Sequence, residues 1–176
     1  MEKAFQGGID VKGNVTNEQY NCFRLQMARY KIMEKLRNRF HEKFSRDPAT
    51  LYKQLLEHKN MFVQLKKKRT INQIQFDLIF HKTEQTSTLK LDEHTLTILI
   101  IYLYKLPKPK KSGWFQEPKP NDVSESATLT RFRIGRNLIQ HLPVSLPDDK
   151  FRTTFEYIKK PMLDYGCWFV GNVRQR

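Results

Sequence analysis

Between Phe151 and Tyr165 a stripe of apolar residues runs through Phe151, Phe155, Ile158, Met162 and Tyr165, in steps of four, three, four and three. That rhythm returns to one face of a 3.6-residue helix, and a strand, whose faces alternate every second residue, cannot produce it. A helix with a single apolar stripe must bury it against a neighbour, so the stripe demands partner elements. Pro147-Asp148-Asp149 opens this helix, Pro161 lies inside it and is expected to kink it, and Gly166 ends it.

The rest of the chain supplies partners of the same kind. Thr16 and Gln19 form a capping-box pair, and Phe23, Met27, Tyr30, Met33, Phe40 and Phe44 follow at helical steps or their multiples. Asp47-Pro48 places a cap residue before a proline at the first helical position. Leu51, Leu55, Phe62 and Leu65 continue the pattern to the basic run Lys66–Arg69, and Ile71, Ile74, Leu78 and Ile79 suggest a short helix before a polar loop. Asp92 begins a helix whose segment Leu96–Leu103 is apolar all round, as a buried central helix would be; its Ile and Thr content also fits a buried strand. Residues 106–121 hold Pro107, Pro109, Gly113, Pro118 and Pro120 and read as a long loop. Asp122 or Ser124 then caps a helix that ends near Leu142, because Pro143 disfavours helical geometry before it. The expected fold class is all-α, a helical bundle with a long basic Pro/Gly/Trp loop before the helix that carries residues 136–141. Residues 1–15, with three glycines, are expected as a flexible arm, 16–166 as one domain, and 167–176 as a C-terminal tail leading to a longer protein.

The chain holds 32 Lys and Arg against 18 Asp and Glu, a net charge of +14. Sixteen of those cations lie in residues 1–80 and sixteen in 81–176, so no basic tail can be detached from the domain. Such an excess favours polyanions, since neutralising phosphates releases counterions, although a solvated basic surface would have the same composition. Cys22 and Cys167 stand far apart and outside any metal-ligand spacing. This argues against a disulfide framework and a structural zinc, and for a reducing, cytoplasmic setting. The N-terminus lacks an apolar signal segment and no run is long enough to cross a membrane, so no membrane is expected. Without a Walker-type glycine loop, a carboxylate pair or ligand spacing among His58, His81 and His94, neither a cofactor nor a metal is expected.

One segment invites chemistry. In Arg136-Asn137-Leu138-Ile139-Gln140-His141, Asn137 and His141 share a helix face and Arg136 lies on its flank, able to meet a phosphate with two donors. His141, in the last turn, lies where the helix dipole favours an imidazolium. Arginine and histidine so placed suit metal-free RNA cleavage, in which a base, an acid and a cation act on the phosphate beside a ribose 2′-hydroxyl. A solvated arginine and a capping histidine would have the same spacing, and Arg37-Asn38-Arg39-Phe40-His41 is a near-copy. Arg131 and Arg133, on the same helix, would guide a phosphate backbone or form a solvated face. In the loop, Lys108, Lys110 and Lys111 would meet phosphates, and Trp114 with Phe115 would stack on a base or pin the loop.

Asp92-Glu93-His94-Thr95-Leu96, the proline-rich loop with Gly113-Trp114, Asp122 and Ser124, and Arg136-Asn137 followed by His141 together resemble the HEPN domain of the DAZ-interacting RNA-binding ubiquitin ligase type. The resemblance runs from about Asp92 to Tyr165, and Asn21–Phe44 is similar, more loosely, to the first helix of that family. It implies an all-α bundle that homodimerises, with Arg136 and His141 as the motif pair and Asn137 as their polar companion. It further implies single-stranded RNA as partner and an endoribonuclease whose two motifs share a cleft, or a non-catalytic RNA-holding, dimerisation or protein-interaction module of a larger immune or ubiquitin-ligase protein. It does not extend to Arg37 and His41. The sequence departs from the family pattern at Phe115, where an acidic residue is common, and at Gly135, where an aromatic is common and where a glycine is expected to loosen the helix.

Overall fold

The computed structural model describes residues 16–109, 113–114, 116–143 and 145–166. Among these residues there are seven helices and no strand: α1 (Asn17–Phe40), α2 (Pro48–Leu56), α3 (Lys59–Lys67), α4 (Gln73–Ile79), α5 (Glu93–Leu103), α6 (Glu125–Gln140) and α7 (Asp148–Asp164). They group into two compact units: one holds residues up to Ile32 and from Pro107 onward, the other Met33–Leu106.

In the unit Met33–Leu106 the core is aliphatic and aromatic. Leu36, Phe40, Leu51, Leu55, Phe62, Ile71, Ile79, Leu96, Leu99 and Ile100 are all buried. The sequence supplies sharp helix starts. Asp47 accepts from the Thr50 amide (2.8 Å) with Pro48 just inside α2, and Asn72 and Gln75 form a reciprocal capping box on α4. Asp92 caps α5 by accepting from the Thr95 amide at 2.7 Å, and Gln75 Nε2 donates to it at 3.1 Å. Burial pushes the Asp92 carboxyl up, but these hydrogen bonds outweigh it and hold it below its ordinary value. Residues 95–101 of α5 are all buried, so tertiary packing overrides the strand preference of its Ile and Thr residues. The pattern Leu51–Leu65, read as continuous in the sequence, breaks into two helices at Glu57-His58. No proline or glycine marks the break, so periodicity alone runs across it.

In the other unit, α6 and α7 pack together, with Leu25, Ala28, Ile32, Ala127, Leu129, Phe132, Ile139, Phe151, Ile158 and Met162 buried. Thr16 and Gln19 cap α1 reciprocally. The α6–α7 connection is tied to α1: Asn21 Nδ2 donates to the Leu146 carbonyl (3.2 Å) and to Asp148 Oδ1 (2.7 Å), and Ser145 donates to Glu18. Helix α7 runs through the buried Pro161 to Asp164 and ends at Gly166 with φ of +64°, the left-handed geometry glycine allows without a Cβ clash. No described helix is long and apolar enough to cross a membrane.

Candidate functional site

Helix α6 builds the site. Ser124 accepts from the Ala127 amide at 3.2 Å to start it, and Asp122 Oδ1 accepts from the Ser124 amide at 3.0 Å, so both predicted cap residues take part. The helix stops at Gln140, with His141 as its C-cap. Its buried face carries Leu129, Phe132, Gly135 and Ile139, one helical stripe.

Gly135 lies close against α7. A Cβ at this position would lie 2.4 Å from Ile158 Cγ2, with the Tyr157 Cβ and the Ile158 amide nitrogen just beyond. A side chain at this position would have to displace that of Ile158, so the glycine lets α6 pack closely on α7. The sequence misses this because a helical glycine shows no sign of what it touches.

The three motif residues sit at the exposed end of that helix. Arg136 is half-buried, Asn137 and His141 are exposed. Arg136 Nη1 donates to Asn137 Oδ1 at 2.7 Å, so the guanidinium lies beside the polar companion that follows it. Among the described residues none hydrogen-bonds to the His141 ring, which stands free at the C-terminal end of α6. Arg133 lies one turn before Arg136, and burial, then the neighbouring Arg136 charge, push its guanidinium down from its ordinary value. The i, i+3 spacing was the available signal for this pairing.

Arg131 does something else. It is only 6 % exposed, and its Nη1 and Nη2 donate to the carbonyls of Asp122 (2.8 Å) and Lys119 (2.6 Å). Ser126 Oγ donates to the Pro107 carbonyl at 2.5 Å. Arg131 and Ser126 thus pin both ends of the proline-rich loop to the start of α6, and the Arg131 guanidinium is committed to that task.

Lys108 is exposed and lines, with Pro107, Lys119, Asn121, Asp122, Val123 and Ser124, a cavity of about 610 Å³ at the N-terminal end of α6. From Glu125 to Arg136 the helix rises by roughly 16 Å, so Lys108 and the motif are not brought together. Trp114 is half-buried; Lys110, Lys111 and Phe115 lie outside the described residues. Cys22 Sγ donates to the Pro143 carbonyl at 3.2 Å, and burial, then Glu18, raise its thiol, the opposite of an activated nucleophile. The described residues hold no cluster of ligating side chains fit for a metal ion.

Comparison with known families decides the fold: the DZIP3/hRUL138-like HEPN family matches residues 48–172. The chain belongs to that family. The match covers well over half of the chain and contains the whole loop, α6 and the Arg136–His141 segment of this HEPN domain, so the all-α HEPN bundle expected from the sequence is the observed fold. It begins at Pro48, so helix α1, whose residues Asn21–Phe44 only loosely resemble the family, lies before it. No curated protein and no solved structure matches the chain.

Proposed function

We propose that this HEPN domain binds single-stranded RNA and cleaves it as a homodimer without a metal ion, the two Arg136–His141 segments facing one cleft. The observation that carries the reading is the clustering of Arg136, Asn137 and a free His141 at one exposed helix end of a strongly cationic HEPN domain. Arg136, oriented by Asn137 and backed by Arg133, holds the scissile phosphate. The ribose 2′-oxygen attacks phosphorus and its proton passes to one His141; the bond to the 5′-oxygen breaks as the second copy's imidazolium protonates it. The products are a 2′,3′-cyclic phosphate and a 5′-hydroxyl. One histidine cannot serve as base and acid in the same step, which is why a second copy is required.

A labelled single-stranded RNA assayed in EDTA tests this. Wild type cuts and leaves cyclic phosphate ends, while Arg136→Ala and His141→Ala do not. Equal cutting by all three sinks the assignment.

The exposure of His141, with no described partner orienting its ring, favours a second reading. In it the domain is a non-catalytic RNA-holding or dimerisation module of a larger immune or ubiquitin-ligase protein. That reading predicts no cleavage and a salt-sensitive affinity that depends on lysines at least as much as on His141.

A further inference from the structure

Helix α1 buries one face and leaves an aromatic stripe on the other. Tyr20, Phe23, Met27 and Tyr30 fall at steps of three, four and three, opposite the buried Asn21, Leu25, Ala28 and Ile32. Tyr20, Phe23 and Tyr30 are 52, 58 and 62 % exposed. The Tyr20 and Phe23 rings lie nearly parallel, 27° apart with centroids 6.3 Å apart. Arg24 extends that surface: its guanidinium carbon lies 5.9 Å from the Tyr20 ring centroid and 4.7 Å from that of Phe151. Lys31, one helical step past Tyr30, borders the same flank as Arg24, and Gln19 and Gln26 border the other. The one acidic side chain of α1 before Ile32, Glu18, faces away and is engaged by Ser145.

Two occupants suit exposed aromatics on a helix, a second copy of the chain or a polyanion with flat bases. Half-exposed rings of this size offer roughly 100 Å² each, so three from each copy give about 600 Å², well below the about 1,200 Å² of a stable interface. Isologous packing on this stripe would also set Arg24 and Lys31 against their own copies in a chain of net charge +14. A nucleic acid strand instead neutralises the cationic flank while its bases stack on the rings. From Tyr20 to Tyr30 the helix rises about 15 Å, room for about four stacked bases at roughly 3.4 Å each.

We infer that the outward face of α1 from Tyr20 to Tyr30 is a stacking surface for single-stranded RNA, with Arg24 and Lys31 on the phosphates. The inference rests on the RNA-binding reading above but uses none of its residues. It also lies before the segment that matches the family.

The test is titration of a fluorescein-labelled single-stranded oligoribonucleotide with wild type, with the triple variant Tyr20→Ala/Phe23→Ala/Tyr30→Ala, and with His141→Ala, each with its molar mass measured by light scattering. The inference expects at least tenfold weaker binding by the triple variant at unchanged molar mass. Unchanged affinity, or a loss that accompanies a fall to half the mass, overturns it, the latter assigning the stripe to a second copy. No binding by wild type even at low salt removes the RNA reading itself, and this inference with it. If the triple variant does not fold, Phe23→Trp decides alone. RNA must change its fluorescence beyond the change seen in wild type, and an identical response overturns the inference.

Discussion

Arg37-Asn38-Arg39-Phe40-His41 and Arg136-Asn137-Leu138-Ile139-Gln140-His141 use nearly the same residues at the ends of two helices, and the protein sets them in opposite surroundings. In the first, Arg37 and His41 are tied to later parts of the chain. Arg37 Nε donates to the Thr88 carbonyl (3.2 Å), His41 Nε2 pairs with Thr88 Oγ1 (2.9 Å) and its Nδ1 with the Phe44 carbonyl (3.1 Å). Tyr104 Oη donates to the Arg39 carbonyl at 2.7 Å, satisfying an end of α1. In the second, Arg136 Nη1 donates to its exposed neighbour Asn137 at 2.7 Å, and His141 is exposed. A histidine with both nitrogens occupied fastens a loop. One with both free is available to a ligand.

That contrast is open to attack, first through activity. General acid–base catalysis contributes about 10²–10⁴ in rate, so His141→Ala is expected to lower RNA cleavage at least a hundredfold while His41→Ala leaves the rate per folded molecule unchanged. Stability should move the other way. His41→Ala strands the buried Thr88 hydroxyl and is expected to cost about 1–3 kcal/mol in urea denaturation, whereas His141→Ala should cost under about 0.5 kcal/mol. Arg131→Ala, which frees two loop carbonyls, belongs with His41 and should cost about 2–3 kcal/mol. A smaller effect sharpens the geometry of α6. Gly135→Ala gains about 1 kcal/mol of helix propensity but drives a Cβ into Ile158, where overpacking costs about 1–3 kcal/mol, so the melting temperature should fall rather than rise.

The smallest effect concerns pH in the unit that holds Arg37–His41. The folded Asp92 carboxyl lies below its ordinary value of 3.8. Its contribution to stability is therefore complete above that value and is lost as pH falls through the lower, folded one. Asp92→Asn keeps a capping side chain, so the advantage of wild type over this variant, measured by denaturation, should shrink as the medium is acidified below pH about 4.

What could be read in the sequence was what depends on neighbours along the chain. Thr16 with Gln19, Asp47-Pro48, Ser124 and Gly166 mark helix ends through local hydrogen bonds or backbone geometry, and α7 follows from its stripe. The motif segment was legible as a pattern. Contacts distant in sequence were not. Arg131 and Arg133 look alike two residues apart, yet one is spent on the Lys119 and Asp122 carbonyls and the other stands beside Arg136. Likewise nothing local distinguishes His41 from His141; Thr88, 47 residues away, does. Gly135 is legible only once Ile158 is seen against it.

The central claim is that the end of α6, and not the end of α1, is directed at RNA. Imidazole resonances of the protein, assigned through His41→Gln and His141→Gln, can be followed by NMR while a non-cleavable 2′-methoxy oligoribonucleotide is added. The account predicts that the His141 signals shift with RNA and those of His41 stay in place. Movement of His41 alone, or of neither ring while RNA is bound, would contradict it.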